Sequence, residues 1–251
     1  MLTAPLIEIF SSLQGEGPHV GEAMTFVRFQ DCEFSCKFCD TPLSFIKNKQ
    51  CRVEWPPFSK KFEKYPNPIT IVELGKILQR FSDTTLSITG GEPLQHVPFL
   101  KEWLSSFKKS GPRKILLETA GIHWQELEKI VGLIDIVSMD LKLPSSTGMK
   151  SYWEEHRQFL KIAQSKEVYV KIVITEETTD EDLERGASLL KAYSGKIPCI
   201  LQPASAFGSF RKIPTPAKIH QNEKTMRSLL GEPPLGSVRV IPQLHKQLGI
   251  L

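Results

Sequence analysis

Three cysteines, Cys32, Cys36 and Cys39, fall within the eight-residue stretch CEFSCKFC. Thiolates at this spacing, with no fourth cysteine at a matching distance, suit an iron–sulfur cubane in which one iron has no protein ligand. A fully ligated cluster only passes electrons. An open metal position binds and activates a ligand, as the vacant position of a catalytic zinc does. Structural zinc is an alternative, but it wants four ligands, usually as two pairs. Buried, unliganded cysteine is another, since it behaves as a small hydrophobe. Both fit less well, because the thiols crowd a loop between strand-like Phe26-Val27-Arg28-Phe29 and the turn Asp40-Thr41-Pro42. Cys51 lies in a proline-rich stretch and Cys199 in an apolar run, where it reads as core.

Other chemistry-bearing residues fall at the ends of predicted strands. Gly90-Gly91-Glu92-Pro93 follows one of them. Glycine lets a backbone approach a ligand closely, although Gly-Gly alone is often a turn. Asp140-Leu141-Lys142 ends another strand and reads either as a ligand-binding pair or as a salt-bridged rim. Arg28 interrupts an apolar strand four residues before the first cysteine. A buried guanidinium needs a charged ligand or an internal acid, such as Glu118. Thr41, before Pro42, reads as a turn residue. His245, near the tail, reads as a surface residue.

With the cysteine spacing, Phe38 directly before the last cysteine, and the GGEP stretch, the sequence resembles the radical S-adenosylmethionine (SAM) enzymes. The resemblance implies a [4Fe-4S] cluster on Cys32, Cys36 and Cys39 whose open iron chelates SAM. SAM cleavage then gives a 5′-deoxyadenosyl radical that abstracts hydrogen. It also assigns SAM contacts to Phe38, Gly90, Gly91, Glu92, Asp140, Leu141, Lys142, Gln202, Pro203, Ala204 and Ser205. A narrower resemblance is to the 7-carboxy-7-deazaguanine synthase family. It is carried by LIEIFSSLQGEG at Leu6–Gly17, Cys39-Asp40-Thr41, the stretch Asp140–Met149, Gln202-Pro203 and the closing RVIPQLHKQLGIL. The sequence departs at Leu251, where that family often has proline, and at residues 47–68, which compact members lack. The family's reaction converts 6-carboxy-5,6,7,8-tetrahydropterin to 7-carboxy-7-deazaguanine with loss of ammonia, toward queuosine and archaeosine. The resemblance places magnesium at Thr41 and substrate at Leu13, Gln14, Gly15, Arg28, Thr89, His245 and the terminal carboxylate of Leu251. Beyond the pterin, it implies an electron donor such as flavodoxin or ferredoxin, and a homodimer. Two rival functions remain. A glycyl-radical-enzyme activase shares the cysteine spacing and GGEP but not the SLQGEG opening or the QLHK ending. An iron–sulfur electron-transfer protein has no use for GGEP or an open iron.

An alternation of strands and helices must position these residues. Strands are predicted at Met24–Gln30, Thr85–Thr89, Lys114–Glu118, Ile134–Leu141, Val168–Ile174, Cys199–Gln202 and Ser237–Ile241. Helices are predicted at Ile69–Phe81, Leu94–Lys109, Trp124–Val131, Tyr152–Ser165, Asp180–Tyr193 (capped near Gly195) and Pro216–Leu230. This pattern implies an α/β fold with a mostly parallel sheet and outer helices. With the resemblance, it becomes a partial, incomplete TIM-like barrel whose site lies on the rim after the strands. The 251 residues suit a single α/β domain. Residues 47–68, basic, aromatic and rich in proline, read as an insertion beside the cluster, either a lid or a plain surface loop. A net charge of +4 with no basic block gives no sign of a nucleic-acid partner. Five cysteines without pairing favour a reducing, cytoplasmic setting. Glu8 within the first apolar stretch and the lack of a basic lead argue against a signal peptide. No apolar run reaches membrane-spanning length.

Overall fold

The computed structural model describes residues 2–109, 111–193, 196–231 and 238–250. Gly195, Ser237 and Leu251, all used in the sequence-based expectations, lie outside them. The strands are β1 (Thr3–Ala4), β2 (Leu6–Leu13), β3 (Ala23–Phe29), β4 (Gln50–Glu54), β5 (Phe62–Pro66), β6 (Ile69–Thr70), β7 (Thr85–Gly90), β8 (Lys114–Thr119), β9 (Ile136–Asp140), β10 (Glu167–Ile174), β11 (Cys199–Pro203) and β12 (Val238–Val240). The helices are α1 (Ile71–Leu78), α2 (Val97–Phe107), α3 (Trp124–Glu128), α4 (Pro144–Thr147), α5 (Trp153–Ala163), α6 (Asp180–Lys191), α7 (Pro216–Leu230) and α8 (Leu244–Leu248).

Ten strands form one sheet in the order β12-β11-β10-β9-β8-β7-β3-β2-β4-β5. From β3 through β7 to β12 every neighbour is parallel. β2 then runs antiparallel to β3, β4 parallel to β2, and β5 antiparallel to β4. The order has two free ends, so among the described residues the sheet does not close. It is the expected partial barrel with helices outside.

Apolar side chains divide between the two faces. The larger cluster, including Leu86, Leu117, Val137, Ile172, Leu100 and Phe159, lies between sheet and helices. A smaller one on the inner face gathers Phe10, Phe26, Leu116, Ile136, Tyr169 and Ile200. Phe10 and Phe26 stack there with ring centroids 5.1 Å apart. Strand side chains on one face recur every second residue. Two positions beyond these floor residues come Arg28, Glu118, Ser138, Lys171 and Gln202, and Glu8 on antiparallel β2. An apolar floor therefore carries a polar layer at the mouth.

Three local differences have clear causes. Leu6–Leu13 forms a strand that the sequence pattern does not mark, since nearly all of it is buried and polar residues do not alternate regularly along it. The helix expected from Ile69 begins at Ile71, because Thr70 and Glu73 form a capping box while Ile69 pairs with Ala4. Residues 47–68 supply β4 and β5, a hairpin that widens the sheet. Fully buried Glu54 organises its tip, accepting backbone N–H bonds from Ser11 at 3.3 Å, Phe58 at 3.2 Å and Lys60 at 2.7 Å. Phe58 and Lys60 have φ of 60° and 56°, left-handed values that such side chains seldom adopt.

His156 of α5 is fully buried behind the end of β9. Its Nδ1 lies 2.9 Å from the Gly121 carbonyl, and its Nε2 lies 3.1 Å from the Lys142 amide. A carbonyl only accepts and an amide N–H only donates, so the ring is neutral with its proton on Nδ1. Burial pushes its pKa down from 6.5 to about 4. The unfolded chain therefore takes up a proton that the folded chain refuses. Stability is whole above about pH 6.5 and falls toward pH 4, by roughly 3 kcal/mol in all. His156→Gln should lower stability at pH 7 and flatten the slope of urea-unfolding free energy between pH 6.5 and 4.5. Equal slopes for the two proteins would refute the neutral, buried imidazole.

Candidate active site

The loops after the parallel strands converge on a cavity of about 560 Å³ over the floor, within the usual range for small-molecule sites. Cys32, Cys36, Phe38, Cys39 and Thr41 line one side. Phe34, Ala120 and Ile122 form an apolar cluster against Cys32 and Cys36, and Met149 Sδ lies 4.0 Å from Cys36 Sγ. Lys37 N donates to the Thr147 carbonyl at 3.0 Å, fastening the cysteine loop to α4. All three thiols are free and half-buried. Burial pushes Cys32 up to about 11 and raises Cys36 and Cys39. The metal-free chain thus holds protonated thiols, and iron must displace the protons. Three soft donors on one loop beside an open cavity fit a cluster with one free iron.

Gly90 and Gly91 line the cavity too. Their lack of side chains also serves the backbone. A Cβ at Gly91 would lie 2.0 Å from the Asp31 carbonyl oxygen, and one at Gly90, where φ is 118°, would lie 2.2 Å from that of Phe29. Gly91 N and Glu92 N donate to these carbonyls, each at 2.9 Å, so the glycine pair is zipped to the start of the cysteine loop. The carboxylate of Glu92 does not reach the cavity. It is buried and accepts from Leu94 N, Thr119 Oγ1 and Ala120 N. Burial raises its pKa. Glu92 therefore shapes the loop from behind. Leu141 likewise packs into the core, against Gly186, and Pro203 ends β11 outside the lining.

On the far side, Lys171 ion-pairs with Glu16 and lies 3.1 Å from Asp140 Oδ1, without hydrogen-bond alignment to the latter. Lys142 Nζ reaches Asp140 Oδ2 at 2.5 Å and stands 5.7 Å from the centre of the Phe38 ring. Gln202 and Gln243 donate to Glu16 Oε1 at 3.1 and 2.7 Å. Burial opposes every charge in this group, but Lys142 and Lys171 still hold the Asp140 carboxyl low, and Asp140 holds both lysines high. Asp40 is also held low against burial by Lys246, at 2.7 Å. Gln202 Oε1 is buried without a hydrogen-bond partner beside the cavity, so a donor-bearing ligand would satisfy it. Ala204 and Ser205 line the same wall.

Leu13, Gln14, Gly15, Arg28, Thr89 and His245 also line the cavity. The chain ends meet there. Leu244 N donates to Gly15 O at 2.9 Å, and a Cβ on Gly15 would collide with His245 Nδ1 at 2.1 Å. Arg28 does not pair with Glu118; its Nε donates to Glu8 Oε1 at 3.0 Å. Glu118 instead accepts from Gln14 Nε2 and Ser87 Oγ at 2.9 Å and from Thr89 Oγ1 at 3.0 Å. The sequence-based site list omits Glu8, Glu16, Glu118 and Lys171. Their signal is a polar residue in register with apolar ones, as Lys171 is in the predicted strand Val168–Ile174.

A chain with this barrel, cysteine loop and glycine edge is built as a radical SAM enzyme. The Radical SAM superfamily model matches residues 26–190. A curated 7-carboxy-7-deazaguanine synthase from Geobacter sulfurreducens is 34% identical, covering 99% of this chain and 98% of the relative. One from Methanopyrus kandleri is 35% identical, covering 95% and 91%. The chain belongs to the 7-carboxy-7-deazaguanine synthase family of the radical SAM superfamily. The crystal structure of QueE from Escherichia coli, 21% identical, has the same fold, with a TM-score of 0.60 over 97% of this chain and 95% of that one.

Alanine at Cys32, Cys36 or Cys39 should remove most of the iron from the anaerobically reconstituted protein and abolish 5′-deoxyadenosine formation. Cys51 and Cys199, both fully buried away from the cavity, should tolerate alanine with iron content unchanged. Iron loss in Cys51→Ala would reveal a fourth ligand and remove the open position.

Proposed function

We propose that the chain converts 6-carboxy-5,6,7,8-tetrahydropterin to 7-carboxy-7-deazaguanine with loss of ammonia, as a carbon–nitrogen lyase of 7-deazapurine and queuosine synthesis. The observation that carries this reading is the pair of opposite charges in one cavity. Arg28 and Glu118 lie on β3 and β8, which flank β7, so their strands are about 10 Å apart. That separation suits a bicyclic pterin, with its carboxylate at one end and its guanidine-like edge at the other. A guanidinium grips a carboxylate with parallel hydrogen bonds. The hydrogen-bond partners of Glu118 are all neutral, and Lys171 is a cation that acts on it; its carboxylate is the acceptor for N–H donors from the ring. Gln14 is held on both sides, by Glu118 and by the Glu16 amide at 3.1 Å, so its amide keeps one fixed orientation at the cavity wall.

When bound, the cluster and SAM supply reversible hydrogen-atom abstraction. The chain's own residues orient the substrate and exclude water. Phe10 and Phe26 close the cavity below, and the tail with His245 closes it above, limiting stray hydrogen donors. Asp140, Lys142, Gln202, Ala204 and Ser205 form the wall for SAM, with Phe38 and the Gly90-Gly91 edge. Magnesium belongs to the same proposal. Thr41 Oγ1 lies 3.5 Å from Asp40 Oδ1, and Glu16, Asp40 and His245 bring possible ligand atoms within 4.8 Å of one another. Magnesium takes few protein ligands and keeps substrate oxygens, so the Thr41 hydroxyl and the carboxylates of Asp40 and Glu16 suit it better than the His245 imidazole. A flavodoxin- or ferredoxin-type donor, a homodimer and a cytoplasmic location complete the proposal and rest on family resemblance. Among the described residues no helix is long and apolar enough to cross a membrane.

Incubating the reconstituted, reduced protein with SAM, magnesium and the carboxylated pterin should yield the deazapurine by mass spectrometry. SAM cleavage without that product would sink the substrate assignment. Glu118→Gln should raise the KM for the pterin by about tenfold or more, the scale of one hydrogen bond to a charged group. Iron content and SAM binding should stay unchanged in that variant.

A further inference from the structure

Arg52 lies in the hairpin that the sequence marks as an insertion. Strand register sets Glu8 of β2 opposite Arg28 of β3 on one side and opposite Arg52 of β4 on the other. Register also sets Arg28 opposite Thr89 of β7. One carboxylate therefore sits between two guanidiniums in a single cross-strand row. Glu8 gives Oε1 to Arg28 Nε at 3.0 Å and Oε2 to Arg52 Nη2. Glu8 is buried and lines the cavity with Arg28, whereas Arg52 lies outside the lining, its guanidinium 4.8 Å from the Phe62 ring centre.

The division of Glu8 has a consequence for Arg28. A free carboxylate beside an arginine is drawn into a two-point, fork-to-fork pair. Arg52 claims one oxygen, so Arg28 meets Glu8 through Nε and keeps its Nη edge for the cavity. Charge points the same way. The row sums to one positive charge with Arg52 and to zero without it. Asp40, which Arg28 also acts on, is already paired with Lys246.

We propose that Arg52 is a positioning residue for substrate: by holding Glu8, it keeps Arg28 available and the row positive for a ligand carboxylate. The inference rests on the pterin reading and gives the hairpin a role that neither a lid nor a plain surface loop describes. Other Arg28-contacting carboxylate ligands would depend on Arg52 in the same way.

The test measures KM and kcat for the carboxylated pterin, and calorimetric binding of that pterin and of tetrahydropterin lacking the carboxylate. Arg52→Met should raise the KM by about tenfold, the scale of one charged hydrogen bond, with kcat, iron content and uncoupled SAM cleavage near wild type. Binding of the uncarboxylated pterin should not change. Adding Glu8→Gln to Arg52→Met restores the positive row and should recover most of the affinity, whereas a merely structural role predicts further loss. Arg52→Lys, which keeps the charge, should fall between wild type and Arg52→Met and provides a milder substitution for comparing folding by circular dichroism. Equal weakening for both pterins, or no recovery in the double variant, would overturn the role of Arg52 alone. A wild-type protein that does not bind the carboxylated pterin would overturn the functional reading itself.

Discussion

The mouth of the barrel depends on one constraint: charges taken out of water must be paired with one another. Glu16, Lys171, Asp140 and Lys142 form an alternating chain in which each group's charge is maintained by its neighbour. Breaking such a pair leaves an uncompensated buried charge, at a cost of roughly 3–5 kcal/mol. The chain spans three separate segments: the loop after β2, the end of β9, and β10. Gln202 of β11 and Gln243 before α8 attach to it through Glu16. The electrostatic requirement thus holds the first loop, the central strands and the tail in one arrangement, and the cavity is what that arrangement encloses.

Below this layer, packing sets position. The floor of Phe10, Phe26, Leu116, Ile136, Tyr169 and Ile200 fills the inner face of the sheet. Because side chains on one face recur every second residue, each functional residue two positions further on stands at a fixed height over the floor. Sites built on strands are positioned more tightly than sites on free loops. The cysteine loop cannot rely on strand geometry, so it is fastened instead. Gly91 and Glu92 bond to its backbone on one side, and Thr147 holds Lys37 on the other. The glycine pair therefore makes a close approach to that loop while lining the cavity beside it.

The edge of the sheet contributes more than shape. β4 and β5 widen the sheet beyond β2, and the row Arg52–Glu8–Arg28 carries charge from that edge into the cavity. A segment that reads as an insertion in the sequence is thereby joined electrostatically to the site. Lys60 at the hairpin tip also donates to Gly249 O at 2.7 Å, so the hairpin meets the tail that closes the mouth.

The sequence by itself determined the chemistry and the class of fold. The cysteine loop with Phe38 and the GGEP stretch are each short local motifs, and the strand–helix alternation is local, so short-range patterns reported them. Most residues named for the cavity do line it. What the sequence could not decide was pairing between distant residues. Arg28 needed an acid, but only strand register chose Glu8 over Glu118, because register brings together residues twenty apart while leaving Glu118 on the far side of β7. Glu92 belonged to a recognised motif, yet tertiary packing turned its carboxylate into the core, where Ala120 and Leu94 amides satisfy it. Lys171 and Glu16, 155 positions apart, became partners only when the barrel curved. Local sequence encodes which groups are present and which face they take. The fold alone sets which of them share a low-dielectric space, and there each charge must find its partner.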